Sequence, residues 1–461
     1  TFETKNPFTG QVIATLPACD ASDVDAAVAS ARASFESGVW SALHPAERKA
    51  VLARLADLIM ENVEELSVME ALDAGKPVAD CLEIDVPETA NCIRWHGEAQ
   101  DKLFDQIAPT APDAVAMIVR EPVGVVAAVL PWNFPLLMMA WKIGPALATG
   151  NSVIVKPAED TSLTALRLAE LALEAGVPPG VLNVVTGFGP DVGEPLGRHM
   201  DVDALTFTGS TATGRRFLEY AAHSNLKEVC LEMGGKSAAV VLSDAKDLDR
   251  IAEIQANAIF WNMGENCTAN SRIIAHKAVY DALVTKLAEQ VEGWKLGDQL
   301  DPETRNGPLV SEKHFAKVSG LVEGGKAQGA RVVTGGEGAG GLVFKPTIFA
   351  DVLPAMDIFQ KEIFGPVVGV TRAESDEEAI ALANATEYGL AATLYTSDIG
   401  KAHRYARKLK AGTVGVNTYS EGEISTPFGG FKASGFGGRD NGIAAHEQYT
   451  ELKTIWIDLT A

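Results

Sequence analysis

Positive charge, cysteine and long apolar runs are all scarce in this chain, and each shortage excludes something. Lys and Arg number 39 against 61 Asp and Glu, a formal net charge of −22. Such a surface repels nucleic acid and anionic membrane, so neither is expected as a partner. The five cysteines, Cys19, Cys81, Cys92, Cys230 and Cys267, are scattered, odd in number and never paired as C-x-x-C. That argues against a disulfide framework or a zinc site and for a reducing, cytoplasmic setting. No apolar run approaches the ~18 residues that suggest a membrane span. The opening "TFETKNPFTG" has neither the basic nor the apolar region of a signal peptide. The G-x-G-x-x-G dinucleotide fingerprint is also missing. "TGFGPDVG", with Gly187, Gly189 and Gly193, comes nearest, but its spacing is one residue too long. No fixed-period repeat or low-complexity linker is found.

What remains is a globular composition, 47% hydrophobic over 461 residues, enough for two or three domains. Residues 21–73 place apolar side chains at helical spacing. From Val123 the pattern changes to buried-strand runs, "VGVVAAVL", "SVIVK", "VLNVV", "ALTF" and "EVCLE", separated by helical runs and Gly-rich turns. Continuous apolar strands alternating with helices predict parallel sheet covered on both faces, an α/β fold. After Lys236 the alternation resumes with "AAVVL", a helix near 247–262 and "SRIIAH". Strands near 331–334, 366–372, 391–395 and 413–417 follow, which suggests a second α/β domain. "AVAMIVREPVG" and "TELKTIWIDL" stand apart, alternating apolar and polar residues as half-exposed strands do.

Several short stretches carry chemistry. "FTGSTATG", Phe207 to Gly214, follows a strand and opens a helix, so its amides and Ser210 are placed to meet a phosphate. It also reads as an ordinary strand–turn–helix junction. "VIVKPAED" ends a strand with Lys156 and Glu159. A carboxylate there accepts from both hydroxyls of an adenosine ribose and repels a 2′-phosphate, although a solvated loop reads the same way. In "PWNFP" two prolines fix the backbone around Asn133, and a held side-chain amide is a good oxyanion donor. "LEMGGK" puts Glu232 at a strand end before a flexible Gly-Gly pair, where a general base or a structural salt bridge fits. Cys267 sits in "WNMGENCTANSR", among small polar neighbours that suit a reactive thiol and a spare core residue equally.

Taken in order, "PWNFP", "KPAE", "FTGS", "LEMGGK", "GENCTA", "KEIFGPV", "YGLAA", "GVN" and "PFGGFKASG" resemble the aldehyde dehydrogenase superfamily over nearly the whole chain. The resemblance implies a Rossmann-type cofactor domain (1–110 and 124–236), an α/β catalytic domain (237–428) and a small bridging β-sheet for oligomerisation (111–123 and 449–459). It implies that Cys267 is the nucleophile, that Asn133 and the Cys267 amide hold the alkoxide, and that Glu232 activates the water which hydrolyses the thioester. By the same resemblance, Lys142 and Asp440 match positions proposed for proton relay. Asp440 is shorter than the usual Glu, and "SGFGGRD" carries an extra residue, which puts its reach in question. The implied cofactor is NAD, with NADP as the alternative. Lys156 and Glu159 match the adenosine-ribose pair, and Gly209, Ser210 and Gly214 the pyrophosphate turn. Trp132 matches the wall of the same cleft, and Glu362 and Phe364 the nicotinamide end. His314 stands where many members have a ribose-contacting Gln and is not counted among the site residues. The family's bridging sheet implies a homodimer or homotetramer.

Within the superfamily, the C-terminal region is most similar to dehydrogenases of ω-amino, guanidino or γ-glutamylamino aldehydes. A cationic tail would suit Glu421 and Glu423 before "PFGG", and Asp85 and Glu88, three apart on one helix face. Trp141 and Trp261 would then offer cation–π contact. The alternatives are a broad aliphatic aldehyde dehydrogenase, a thiol esterase or acyltransferase on the same Cys267, and a non-catalytic structural protein. An acyl-phosphate- or CoA-forming variant is less consistent with a dedicated water-activating Glu232.

Overall fold

Every residue of Val125–Val129 and of Ser152–Lys156 is buried. A strand buried on both faces needs cover above and below, and a layered α/β architecture supplies it. The computed structural model describes residues 1–420 and 422–460. In it these strands form the middle of a six-stranded sheet. The order is Gly435–Phe436, Glu228–Met233, Ala204–Gly209, Val125–Val129, Ser152–Lys156, Leu182–Val184. All neighbours are parallel except Gly435–Phe436, which returns from the far C-terminal region and pairs antiparallel, with Gly435 opposite Glu232. That short strand was not expected from sequence. Two residues carry no periodicity to read.

A second sheet of seven strands begins immediately afterwards. Its order is Arg331–Thr334, Thr347–Ala350, Val367–Ala373, Arg272–His276, Ala238–Val241, Ala391–Tyr395, Thr413–Val416, with the first pair antiparallel and the rest parallel. In chain order, the first strand of the six-stranded sheet starts at Val125 and that of the seven-stranded sheet at Ala238. The third sheet joins Thr450–Asp458 antiparallel to Ala114–Pro122, with Gln106–Ala108 on the other side. Leu452 and Trp456 on its outer strand are 66% and 65% exposed.

Chain direction fixes where chemistry collects. Strands of the first sheet end at Val129, Gly209 and Met233, and strands of the second begin at Ala238, Arg272 and Val367. The connections 130–134, 234–237, 261–271 and 362–366 thus lie between the carboxyl ends of one sheet and the amino ends of the other. Crevices beyond strand carboxyl ends are where such sheets bind ligands.

Candidate active site

The loop that carries Cys267 is held open by unusual backbone. Helix Leu248–Phe260 ends, and Asn262, Met263 and Gly264 adopt φ of 50°, 54° and 69° in succession. Left-handed geometry at a non-glycine residue costs on the order of 1–3 kcal/mol. Hydrogen bonds offset it: the Asn262 side-chain amide donates to the carbonyls of Asn133 at 2.9 Å and Glu265 at 3.2 Å. Only glycine fits at 264, because a Cβ would lie 2.2 Å from the Gly365 carbonyl oxygen. Beyond the turn, Asn266 Oδ1 accepts from the Thr268 amide at 3.0 Å and its hydroxyl at 2.9 Å. The Tyr419 hydroxyl meets Asn266 Nδ2 at 3.0 Å and Thr268 Oγ1 at 2.7 Å. Cys267 is half-buried between these two clamped neighbours, with its carbonyl set against Gly235, where a Cβ would approach to 2.4 Å.

Cys267, Asn133, Glu232 and Asp440 all line one cavity of about 360 Å³. Asn133 is buried and donates one amide hydrogen to the Glu265 carbonyl at 2.9 Å, two residues before the nucleophile. A primary amide has two such hydrogens, so this bond orients the group without exhausting it. Glu232 is buried at the end of its strand, with Gly429 tight against Oε1. Burial pushes its carboxyl well above the ordinary carboxylate range, and the charge of Asp440 pushes further, while Lys142 and Arg439 pull less strongly the other way. The Lys142 ammonium and the Asp440 carboxylate form a buried ion pair of 2.6 Å. Asp440 reaches despite its short side chain because its backbone is pinned to Phe428 by reciprocal hydrogen bonds of 2.6 and 2.7 Å.

Of the residues expected at the cofactor end, Trp132, Gly209, Ser210, Glu362 and Phe364 line the same cavity, whereas Lys156, Glu159 and Gly214 are not part of its wall. Ser210 caps helix Thr211–Ala222, accepting from the Thr213 amide, and Gly209 ends the strand before it. Gly214 is buried one turn on, where a Cβ would lie 2.5 Å from Met233 Sδ. Lys156 Nζ and Glu159 Oε2 pair at 2.9 Å, with the lysine buried and the carboxylate 41% exposed. Burial works against the Glu159 anion, but Lys156 beside it holds its pKa below the ordinary value. Glu362 accepts from the Gly235 amide at 2.8 Å and presses on Gly234, whose Cβ would sit 2.3 Å from Oε2. Trp132 packs edge-to-face on Phe364 at 5.2 Å.

The substrate-side expectations divide. Trp141 and Trp261 line the cavity, packed on Phe428 at 5.0 Å and Phe134 at 5.2 Å. Asp85 and Glu88 do not share an outward face. Asp85 ends a π-helical turn, Cys81–Asp85, and is fully buried in an ion pair of 2.5 Å with Lys76, while Glu88 is exposed on the helix that follows. The wider turn shifts the angular register that a three-residue spacing presumes, and the buried lysine draws the carboxylate inward. Glu423 is exposed and is not part of the cavity wall. Glu421 lies outside the described residues. Conversely, the cavity wall includes His314, Lys313 and Lys317, which sequence reasoning left out. His314 is neutral: burial lowers its pKa to about 4, and Nε2 donates to the Phe364 carbonyl at 2.5 Å. Glu265 in the nucleophile loop was also missed. It is buried, accepts from the Val310 amide at 3.2 Å, and burial raises its pKa well above normal. Its place two residues from Cys267 was the only available signal.

The family model described as "Aldehyde dehydrogenase family" matches residues 1–455. The chain belongs to that family. An aminoacetaldehyde dehydrogenase of Pseudomonas aeruginosa is 57% identical over 458 residues, covering 99% of this chain and 92% of the relative. The NADP/NAD-dependent aldehyde dehydrogenase PuuC of Escherichia coli is 49% identical, covering 100% and 93%. Among solved structures, an indole-3-acetaldehyde dehydrogenase in complex with NAD+ superposes with a TM-score of 0.98 at 49% identity, covering 99% of this chain and 93% of that one. As a family member the chain is an oxidoreductase acting on aldehydes. Among the described residues no helix is long and apolar enough to cross a membrane.

Proposed function

We propose that the chain oxidises an aldehyde to a carboxylic acid with NAD, the substrate being an ω-amino, guanidino or γ-glutamylamino aldehyde. The observation that carries the reading is the meeting of Cys267, Asn133 and Glu232 in one cavity with Ser210 and Glu362 on its wall. The Cys267 thiolate adds to the carbonyl carbon, forming an S–C bond and an alkoxide. Asn133 Nδ2–H and the Cys267 amide stabilise that oxygen as charge develops, a contribution typically of about 3–4 kcal/mol for one such donor. Loss of hydride from the tetrahedral carbon leaves a thioester on Cys267. Glu232 takes a proton from water as it attacks, the C–S bond breaks, and the thiolate and acid are released. The buried Lys142–Asp440 pair then offers the Glu232 proton a route away from the cavity.

The donor set suits a dinucleotide. The amino end of a 12-residue helix behind Ser210 favours a phosphate. A half-buried Glu362 and the Lys156–Glu159 pair suit ribose hydroxyls, and Trp132 with Phe364 forms an aromatic wall. Bound NAD supplies the hydride acceptor. The half-exposed Glu159 carboxylate, kept ionised by Lys156, repels a 2′-phosphate and supports NAD over NADP. Accordingly, Glu159→Gln is expected to raise the ratio of kcat/KM with NADP to that with NAD by roughly tenfold. An unchanged ratio would remove Glu159 from cofactor choice. The exposed apolar residues of Thr450–Asp458 on an unpaired sheet edge support a homodimer or homotetramer. The aminoaldehyde reading is supported by the 57%-identical aminoacetaldehyde dehydrogenase. It is tested by kcat/KM for cationic, anionic and apolar aldehydes, with a preference for hexanal overturning it.

A further inference from the structure

A lysine without exposed surface stands behind one wall of the catalytic cavity. Lys76 pairs with Asp85 at 2.5 Å, and neither side chain reaches solvent. Its ammonium lies 3.7 Å from the centre of the Phe134 ring and 5.7 Å from that of Trp261. The two rings pack on each other at 5.2 Å, and both line the cavity. Burial works against the cation, but Asp85, with Cys81 and Glu70, holds its pKa above the ordinary value. Burial, and then the charge of Asp85, pushes the Glu70 carboxyl well up and favours its neutral form. A buried ion pair is seldom more stabilising than apolar side chains of the same size, because both charges lose their hydration. What the lysine adds is direction. A cation over a ring face is attracted by the ring quadrupole, and the same attraction holds the ring plane. Both rings adjoin the group placed to meet the alkoxide. Phe134 follows Asn133 directly. Trp261 precedes Asn262, whose side-chain amide donates to the Asn133 carbonyl at 2.9 Å. Beyond Phe134 in the chain, the Leu136 amide donates to Glu70 Oε2 at 3.3 Å.

We infer that Lys76 is a positioning residue for the oxyanion donor: through the Phe134 and Trp261 rings it sets the direction in which Asn133 presents its amide to the carbonyl oxygen. The inference rests on the part given to Asn133 above.

The test is the stopped-flow rate of first-turnover NADH formation by the full chain with saturating NAD and acetaldehyde, an aldehyde with no tail to touch the rings. Lys76→Met with Asp85→Asn removes both buried charges together, so that neither is stranded. The first turnover is expected to slow by about tenfold or more, since a misplacement of about 1 Å costs on the order of 100-fold. NAD affinity should stay unchanged. In an Asn133→Ala background the same two replacements should cost nothing further, because the amide they aim is gone. Phe134→Leu keeps the ion pair and removes the ring; it should slow the first turnover by a similar factor, and it serves where the double replacement melts early. A loss of the same size with and without Asn133 overturns the inference and leaves Asn133 its part. So does a native rate in Lys76→Met with Asp85→Asn, or in Phe134→Leu. A native rate in Asn133→Ala overturns that part and the inference with it.

Discussion

A Cys267→Ala variant is expected to bind NAD with unchanged affinity and to form no detectable NADH from any aldehyde, a fall of roughly 10⁴-fold or more. The size of the effect follows from the order of bond changes. Hydride leaves readily only from a tetrahedral carbon bearing an alkoxide, and without sulfur the aldehyde carbon stays trigonal. Asn133 would then have no developing charge to stabilise. The loop keeps the hydrogen bonds of Asn262, Asn266, Thr268 and Tyr419 in this variant. NAD titration by fluorescence and a melting curve separate lost chemistry from lost structure. The same variant distinguishes the esterase alternative. Ester hydrolysis needs Cys267 but no cofactor, so a thiol hydrolase would lose ester turnover without ever having formed NADH in the native protein.

Glu232→Gln is expected to lower steady-state kcat by about 10²-fold while leaving a first-turnover burst of NADH. An amide cannot accept a proton from water, so deacylation slows and acylation does not. The pH profile carries a second signature. Burial, reinforced by Asp440, holds the native Glu232 carboxyl well above its ordinary value, so the base form gains population as pH rises and deacylation accelerates with it. In Glu232→Gln that limb should vanish. Stability changes with the opposite sign. A carboxyl whose pKa is raised by folding destabilises the fold increasingly as pH climbs past the unfolded value. The melting temperature of Glu232→Gln relative to the native protein should therefore be higher at pH 8 than at pH 5. A variant with full kcat and no burst would leave Glu232 as a buried structural acid.

The core of this fold is legible because its strands are continuous apolar runs. Val125–Val129, Ser152–Lys156, Glu228–Met233 and Ala238–Val241 all fall within stretches whose burial dictates their structure. That Asn133, Ser210, Glu232 and Cys267 share one crevice has a related reason: each ends, follows or precedes such a strand, so chain direction gathers them. What was not legible depends on partners distant in sequence. Asp85 looks like a surface carboxylate until Lys76 is found buried beside it. Asp440 looks too short until its backbone is seen bonded to Phe428. Gly435–Phe436 gives no pattern of its own and becomes a strand only by lying beside Glu232.

The proposed oxidation passes through an acyl group on Cys267. Intact-mass and peptide mass spectrometry of Glu232→Gln, quenched in acid within the burst after mixing with NAD and hexanal, tests it most directly. A hexanoyl adduct on the Cys267 peptide is expected, dependent on NAD and cleared by hydroxylamine. Burst NADH without that adduct, or an adduct on any other residue, would contradict it.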